Sequence, residues 1–173
     1  NQDNGLGWWA AIHRGRGGYE AYISAIKEIA TEPGSWLPQI FLAKDHLDKK
    51  EIKQALGLLR QALSKAPPDQ LPLTVISGEL GKAGLLNEMV QLLLPVYNVQ
   101  MHEPYAGMNL IRALIGIKRF DEARRLITRL QRLGIPPLAE ILAGLEKELS
   151  QAQLEGESPD SIPLEVSSCP LYG

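Results

Sequence analysis

Few side chains in this sequence have the types and spacing that catalysis or metal binding requires. The histidines His13, His46 and His102 are too far apart for two of them to form a metal pair on one helix face. The one cysteine, Cys169, excludes an internal disulfide and a cysteine-rich zinc site. No nucleophile–histidine–acid motif is recognisable. We therefore predict that the protein is not an enzyme, uses no metal or other cofactor, and has no small-molecule substrate.

The stretch Gly15-Arg16-Gly17-Gly18 is the one candidate for a phosphate-binding loop. No strand pattern precedes it, Glu20 stands where a third glycine would be needed, and no Gly-Lys-Ser/Thr sequence follows. We interpret this stretch as a turn between two helices.

The composition is that of one ordinary globular domain or a short repeat array. The 173 residues are 45% hydrophobic and 22% charged, with 18 Lys and Arg against 20 Asp and Glu. This balance disfavours a disordered chain and an arm that is basic throughout, and no apolar run is long enough to span a membrane. Because the chain begins at Asn1 rather than Met, we expect a piece of a longer protein. A targeting segment could have been removed, so the compartment stays open, with the cytoplasm favoured.

A pattern of residue types recurs at spacings of 33, 34 and 34 residues and predicts helices in pairs. In each half of the repeat the apolar positions lie three or four residues apart, which is the spacing of one face of an α-helix. His13 and His46 occupy the same column, which favours a packing role for both. The first-half columns are Trp9, Leu42, Ile76 and Leu110, then Ala10, Ala43, Ser77 and Ile111; the second-half columns are Tyr22, Ala55, Met89 and Ala123, then Ile26, Leu59, Leu93 and Ile127, then Ile29, Ala62, Val96 and Leu130.

Glycine, lysine and proline mark the places where one helix must end and another begin. Each unit is therefore predicted to be a helix, a short turn and a second helix. The breaks inside units contain Gly17-Gly18, Lys49-Lys50, Gly81-Lys82-Ala83-Gly84 and Lys118-Arg119; those between units contain Pro33-Gly34, Pro67-Pro68, Glu103-Pro104 and Pro136-Pro137.

These columns resemble the tetratricopeptide repeat family, whose period is 34 residues. The first and third units depart from its pattern, because Tyr22 and Met89 stand where a small alanine belongs. The resemblance covers residues 4 to 137 and implies an all-α fold, a right-handed α-solenoid of about four helix hairpins. The best matches are in the second unit, at Leu42, Ala43, Ile52, Ala55, Leu59, Ala62 and Pro67, and in the fourth, at Leu110, Phe120, Ala123, Ile127 and Leu130.

We expect residues 1–150 to form the tetratricopeptide-like repeat domain, with units at residues 3–34, 36–67, 70–102 and 104–135. A capping helix at residues 137–150 is expected to cover the end of the stack, because Ile141, Leu142, Leu145 and Leu149 form one apolar stripe. Residues 151–173 are expected to form an acidic linker and an extended tail. The apolar side chains of the tail predict that residues 160–173 lie against a helical groove, of the same chain or of a neighbouring one.

In the tetratricopeptide family the first helices of successive units line a concave surface that holds peptides. The resemblance implies that Gly78 and Gly81 face this groove in the third unit. Gly7 and Ala11 stand where family members that clamp a chaperone's C-terminal carboxylate carry polar residues, so that clamp is not expected. The remaining lining suits an extended segment with apolar side chains and a carboxylate. The expected peptide-binding residues are Ile40, Lys44, Leu47, Tyr105, Met108, Arg112 and Ile115.

Charges are segregated towards the C-terminal end of the chain. From Arg112 to Arg132 there are seven basic and two acidic residues, and from Glu140 onward seven acidic and one basic. Three interpretations remain open: solvated helix faces, an acidic C-terminal region that leans over the basic fourth unit, or an arginine surface for an acidic partner or RNA. Nucleic acid is the least favoured partner, because the other units do not continue the basic stripe.

The expected function is therefore a non-enzymatic scaffold or adaptor that binds a peptide or protein segment in its concave groove. The occupant could also be the protein's own C-terminal tail or a second copy in a homo-oligomer. Two alternatives remain: a regulatory or assembly domain of a larger protein, which could be membrane-associated, and a nucleic-acid-binding helical repeat.

Overall fold

The structure, a computed structural model, describes residues 5–67 and 72–156. All regular secondary structure in these two ranges is helical, which confirms the all-α prediction for them. The eight helices are α1 (Leu6–Ala30), α2 (Leu37–Asp48), α3 (Ile52–Lys65), α4 (Pro72–Lys82), α5 (Leu86–Leu93), α6 (Pro104–Gly116), α7 (Phe120–Gln131) and α8 (Pro136–Gly156).

Helix α1 consists of two helical halves that meet at the predicted glycine turn. Gly17 leaves the helical region, and Gly18 has φ 70° and ψ −160°, a conformation that only glycine adopts readily. The glycine-rich stretch is thus the break between two helical segments, as the sequence predicts. Both halves contribute to one apolar cluster, which contains Leu6, Ala10, Ile23, Ile26 and Leu42.

The three turns that follow α2, α4 and α6 share one backbone geometry. The second residue after each helix is left-handed, at Lys50 (φ 62°), Gly84 (φ 71°) and Lys118 (φ 60°). Its amide donates to the carbonyl three residues back, at 3.0 Å in every case. The next amide donates to the carbonyl five residues back, at 2.8, 3.0 and 2.8 Å. These two hydrogen bonds define a Schellman helix end, so the backbone repeats at the spacing that the sequence predicts.

Most residues of the predicted columns lie in the core of the described residues, although Trp9, Tyr22 and Ile29 of the first unit are only half-buried. The small-residue column, which includes Ala43 and Ser77, is buried in all four units. Burial is complete in the column that contains Ile26, Leu59, Leu93 and Ile127, where every side chain is 0% exposed. Because these positions recur at helical spacing, each helix presents one apolar stripe to its neighbours.

The main helix contacts join neighbours along the chain. The helices pair as α2 with α3, α4 with α5, and α6 with α7, and the second helix of each pair contacts the next helix in sequence. The first helices also contact one another in order, α2 with α4, α4 with α6, and α6 with α8. Helix α1 packs against α2.

Helix α5 is shorter than the periodicity predicts. It ends at Leu93, and Val96, which is expected to close the third unit, is 49% exposed. Pro95 explains the early end, because proline has no amide hydrogen and its ring clashes with the preceding turn. Tyr97 fills the space instead: it is buried, and a Cβ atom on Gly107 would lie 2.8 Å from its Cζ. The prediction for Val96 is therefore wrong.

Helix α8 is longer than predicted. The capping helix is expected at residues 137–150 and the linker from 151, but α8 runs from Pro136 to Gly156. Residues 151–155 contain glutamine, alanine, leucine and glutamate, which favour helix, and the first glycine after them is Gly156. Of the four stripe residues, Leu142, Leu145 and Leu149 are buried, whereas Ile141 is 39% exposed. The burial predicted for the leucines of the stripe is thus confirmed, the prediction for Ile141 is wrong, and the C-terminal boundary of the helix is corrected.

Candidate functional site

The seven predicted groove residues divide by burial. Lys44, Tyr105 and Arg112 are exposed and Ile115 is half-buried, so their side chains are accessible to a partner. Ile40, Leu47 and Met108 are buried in the core and leave a partner little surface to contact.

A notch lies between α4 and α6, where two glycines of α4 leave space. A Cβ atom on Gly78 would meet nothing within 4 Å, and one on Gly81 would meet only the end of Met89, at 3.4 Å. The resulting cavity is about 390 Å³, within the size range of small ligand sites. It is lined by Ser77, Gly78, Gly81 and Lys82 of α4, Leu86 and Met89 of α5, and Asn109, Arg112 and Ala113 of α6.

Polar contacts fix the two helices that form the notch. The amide of Asn109 donates to the hydroxyl of Ser77 at 2.9 Å, and that hydroxyl donates to the carbonyl of Thr74, also at 2.9 Å. Ser77 is buried, so the hydrogen bond between α4 and α6 is shielded from water. The notch therefore has a fixed polar wall, while the side chains of Met89 and Leu86 supply an apolar one.

Cations stand at the rim of the notch. The ammonium of Lys82 lies 2.9 Å from the carboxylate of Glu79 in the same helix. The guanidinium of Arg112 lies 3.8 Å from Glu148 of α8, and both of these side chains are 53% exposed. An exposed ion pair at this distance contributes little to stability. Arg112 can therefore exchange Glu148 for a ligand carboxylate at small cost.

A second polar surface lies on α7, away from the notch. Its residues, here called the arginine face, border a trough of about 490 Å³ that a single helix forms between its own long side chains. Arg124 contacts Asp121 at 3.9 Å and the side-chain oxygen of Gln153 at 2.7 Å. The arginine face consists of Asp121, Arg124, Arg125, Thr128, Arg129 and Arg132.

The three histidines take part in local packing. His13 and His46 are half-buried; His13 stacks near Trp9, with ring centroids 4.3 Å apart, and His46 pairs with Glu51. His102 accepts a hydrogen bond from the amide of Asn98 at 2.8 Å. These contacts agree with the packing role expected for His13 and His46. Cys169, like the predicted groove-bound tail at residues 160–173, lies outside the described residues.

A polar contact between α1 and α2 was not predicted from the sequence. Asp45 is buried, accepts a hydrogen bond from the hydroxyl of Tyr19, and lies 2.9 Å from the ammonium of Lys49. The hydrogen bond that the ammonium of Lys49 donates to Asp45 raises the pKa of Lys49. The one available signal was an aspartate among the apolar residues of α2. The pairing of Ser77 with Asn109 in the notch was not predicted either, and the one signal for an opening there was the pair of glycines Gly78 and Gly81.

Within the described residues, no group of three or more His, Cys, Asp and Glu side chains is placed to hold a metal ion. Nor does any described helix combine the length and apolarity needed to cross a bilayer. Family models, curated proteins and solved structures returned no match to the chain. The candidate site is therefore defined by geometry alone, as a notch with an apolar wall and a cationic rim.

Proposed function

We propose that this protein is a tetratricopeptide-like interaction module that binds an extended protein segment along the first helices of its hairpins. The left-handed residues at 50, 84 and 118, together with the ordered contacts from α2 to α4, α6 and α8, support a right-handed solenoid with α8 as its cap. In such an array the first helices form a continuous surface.

The observation that carries the proposal is the notch between α4 and α6. Gly78 and Gly81 remove two side chains from the middle of the expected groove, and Arg112 stands beside the gap. An apolar side chain of the partner enters the notch over Met89, and a partner carboxylate pairs with the guanidinium of Arg112. Lys44, in the same column as Arg112 but two units away, adds a second cation for a longer acidic segment.

The test is a selection from a displayed random peptide library, followed by binding measurements on the enriched peptides. Fluorescence anisotropy compares the native protein with Gly78→Leu, which fills the notch, and with the matched variant Gly144→Leu. A Cβ atom on either glycine meets nothing within 4 Å, and leucine favours helix over glycine by about 1 kcal/mol, so both variants keep the fold.

We expect Gly78→Leu to weaken binding of the enriched peptides by about tenfold or more, corresponding to about 1.4 kcal/mol, while Gly144→Leu binds as the native protein does. Arg112→Gln should weaken only peptides that contain a carboxylate. Equal binding to the two leucine variants, or a library that yields no enriched peptide, contradicts the proposal. The other two functions considered, a regulatory or assembly domain and a nucleic-acid-binding repeat, gain no specific support from the described residues.

A further inference from the structure

Three arginines of the arginine face lie close together and have no ion-pair partner among the described residues. Among the described residues, Arg125, Arg129 and Arg132 have no carboxylate within ion-pair distance, whereas Arg119 is held by Glu122 through two hydrogen bonds of 2.6 Å. Arg125 and Arg129 are one helical turn apart, so their like charges repel. An anionic segment on this face would relieve that repulsion and form paired arginine–carboxylate hydrogen bonds.

The end of α8 lies beside this face. Gln153 of α8 contacts Arg124 at 2.7 Å, and Glu146 contacts Gln131 at 3.0 Å, so α7 and α8 run in opposite directions. The chain therefore leaves Gly156 next to the first arginines of α7. From Arg124 to Arg132 the helix rises by roughly 12 Å, and residues 157–165 can span roughly 30 Å when extended. The segment that follows α8 can reach the whole arginine face.

The composition of that segment matches the arginine face in charge. Residues 157–173 contain Glu157, Asp160 and Glu165 and no lysine, arginine or histidine. The acidic residues are three and five positions apart, so an extended chain spreads their carboxylates along the helix instead of crowding them at one arginine.

We infer that the arginine face is a binding surface for acidic extended segments, and that its occupant is this chain's own segment 157–165. The carboxylates of Glu157, Asp160 and Glu165 pair with arginines of α7. This surface is on the second helix of its hairpin, so the inference does not depend on the proposed groove.

The test uses the full chain and its single cysteine. A nitroxide attached to Cys169 broadens the amide signals of ¹⁵N-labelled residues near the segment. We expect broadening at residues 124–132 in dilute samples at low salt, and its loss at high salt, because ion pairs between exposed groups are screened. Arg125→Glu with Arg129→Glu should remove the broadening, whereas the matched pair Arg14→Glu and Arg16→Glu, also exposed, should leave it unchanged.

Reversing the charges of the segment as well as those of the arginine face separates the loss of ion pairing from any structural effect of the substitutions on α7. Replacing Glu157, Asp160 and Glu165 by lysine should remove the broadening from the native face and restore it on the Arg125→Glu, Arg129→Glu face. Absence of broadening on α7 overturns the inference, as does broadening centred on the notch at Gly78. Broadening that arises only between labelled and spin-labelled copies, and grows with concentration, also overturns it by making a second copy the occupant.

Discussion

Tyr97 occupies the core space that residues of a longer α5 would otherwise fill. Its ring is buried against Gly107 and stacks on His102, with ring centroids 5.8 Å apart. Its hydroxyl lies 3.5 Å from the carbonyl oxygen of Glu103. Burial raises the pKa of Tyr97 from its ordinary value of 10.0 to about 12, because a phenolate loses hydration there.

This pKa predicts a loss of stability in alkali. Between pH 10 and 12 the unfolded chain releases the Tyr97 proton while the folded chain retains it, so the free energy of unfolding falls as pH rises through that range. The contribution is fully present below pH 10. Urea denaturation should show a steeper alkaline decline for the native protein than for Tyr97→Phe. Tyr22→Phe is the comparison, since burial also raises the pKa of Tyr22. Parallel declines for native protein and Tyr97→Phe would contradict the assignment.

At the scale of single residues, the sequence predicts burial better than accessibility. Helical spacing places Leu59 and Ile127 in the core, and both are fully buried. It cannot predict that Ile40 is buried while Tyr105 is 58% exposed, because the resemblance assigns both to columns that line the expected groove. That difference depends on how closely the neighbouring helix approaches, which spacing within one helix does not determine.

At the scale of helices and turns, the repeated Schellman ends predict that glycine raises the free energy of unfolding at the left-handed turn positions and lowers it inside a helix. Lys50 and Lys118 adopt left-handed backbone angles that cost a residue with a Cβ atom roughly 1 kcal/mol, whereas glycine adopts them freely. Lys50→Gly and Lys118→Gly should each raise the free energy of unfolding by about 1 kcal/mol. Gly84→Ala should lower it by a similar amount, for the same reason.

The matched control for this prediction is Lys147→Gly, an exposed lysine in the middle of α8. There glycine should cost about 1 kcal/mol, because it loses more backbone entropy in a helix than lysine does. Chemical denaturation of the four variants measures all these effects. If Lys118→Gly is no more stable than Lys147→Gly, backbone strain does not govern the turns.

Most helix ends could be predicted from the sequence, because glycine, lysine and proline act locally at each break. The breaks at Gly17-Gly18, Lys50, Gly84 and Lys118 are confirmed. The end of α5 at Leu93 was missed, although Pro95 was a local signal, because the repeat pattern outweighed it. The extension of α8 to Gly156 was missed because the apolar stripe, rather than helix propensity, defined the prediction.

At the scale of the whole molecule, the described residues contain two apolar clusters. The smaller one joins both halves of α1 to Leu42 of α2. The larger one extends from Trp36 to Leu149, and Leu37 and Leu58 pack against both. Because the smaller cluster contains residues of α1 and α2 only, we expect the stability of α1 to depend mainly on its contacts with α2, which is what a repeat array with nearest-neighbour coupling predicts.

Two substitutions in the same column test this arrangement. Ile26 belongs to the smaller cluster and Ile127 to the larger, and both are 0% exposed. Replacing either by alanine removes buried methyl groups and should cost about 2–5 kcal/mol of local stability. Native-state hydrogen exchange should show α1 amides exchanging about a hundredfold faster in Ile26→Ala, with α6 and α7 unchanged. Ile127→Ala should accelerate amide exchange in α6, α7 and α8, and it should affect exchange in α1 less than in these three helices. A bundle with a single cooperative core would instead lose protection in every helix with either substitution, and that result would exclude the array.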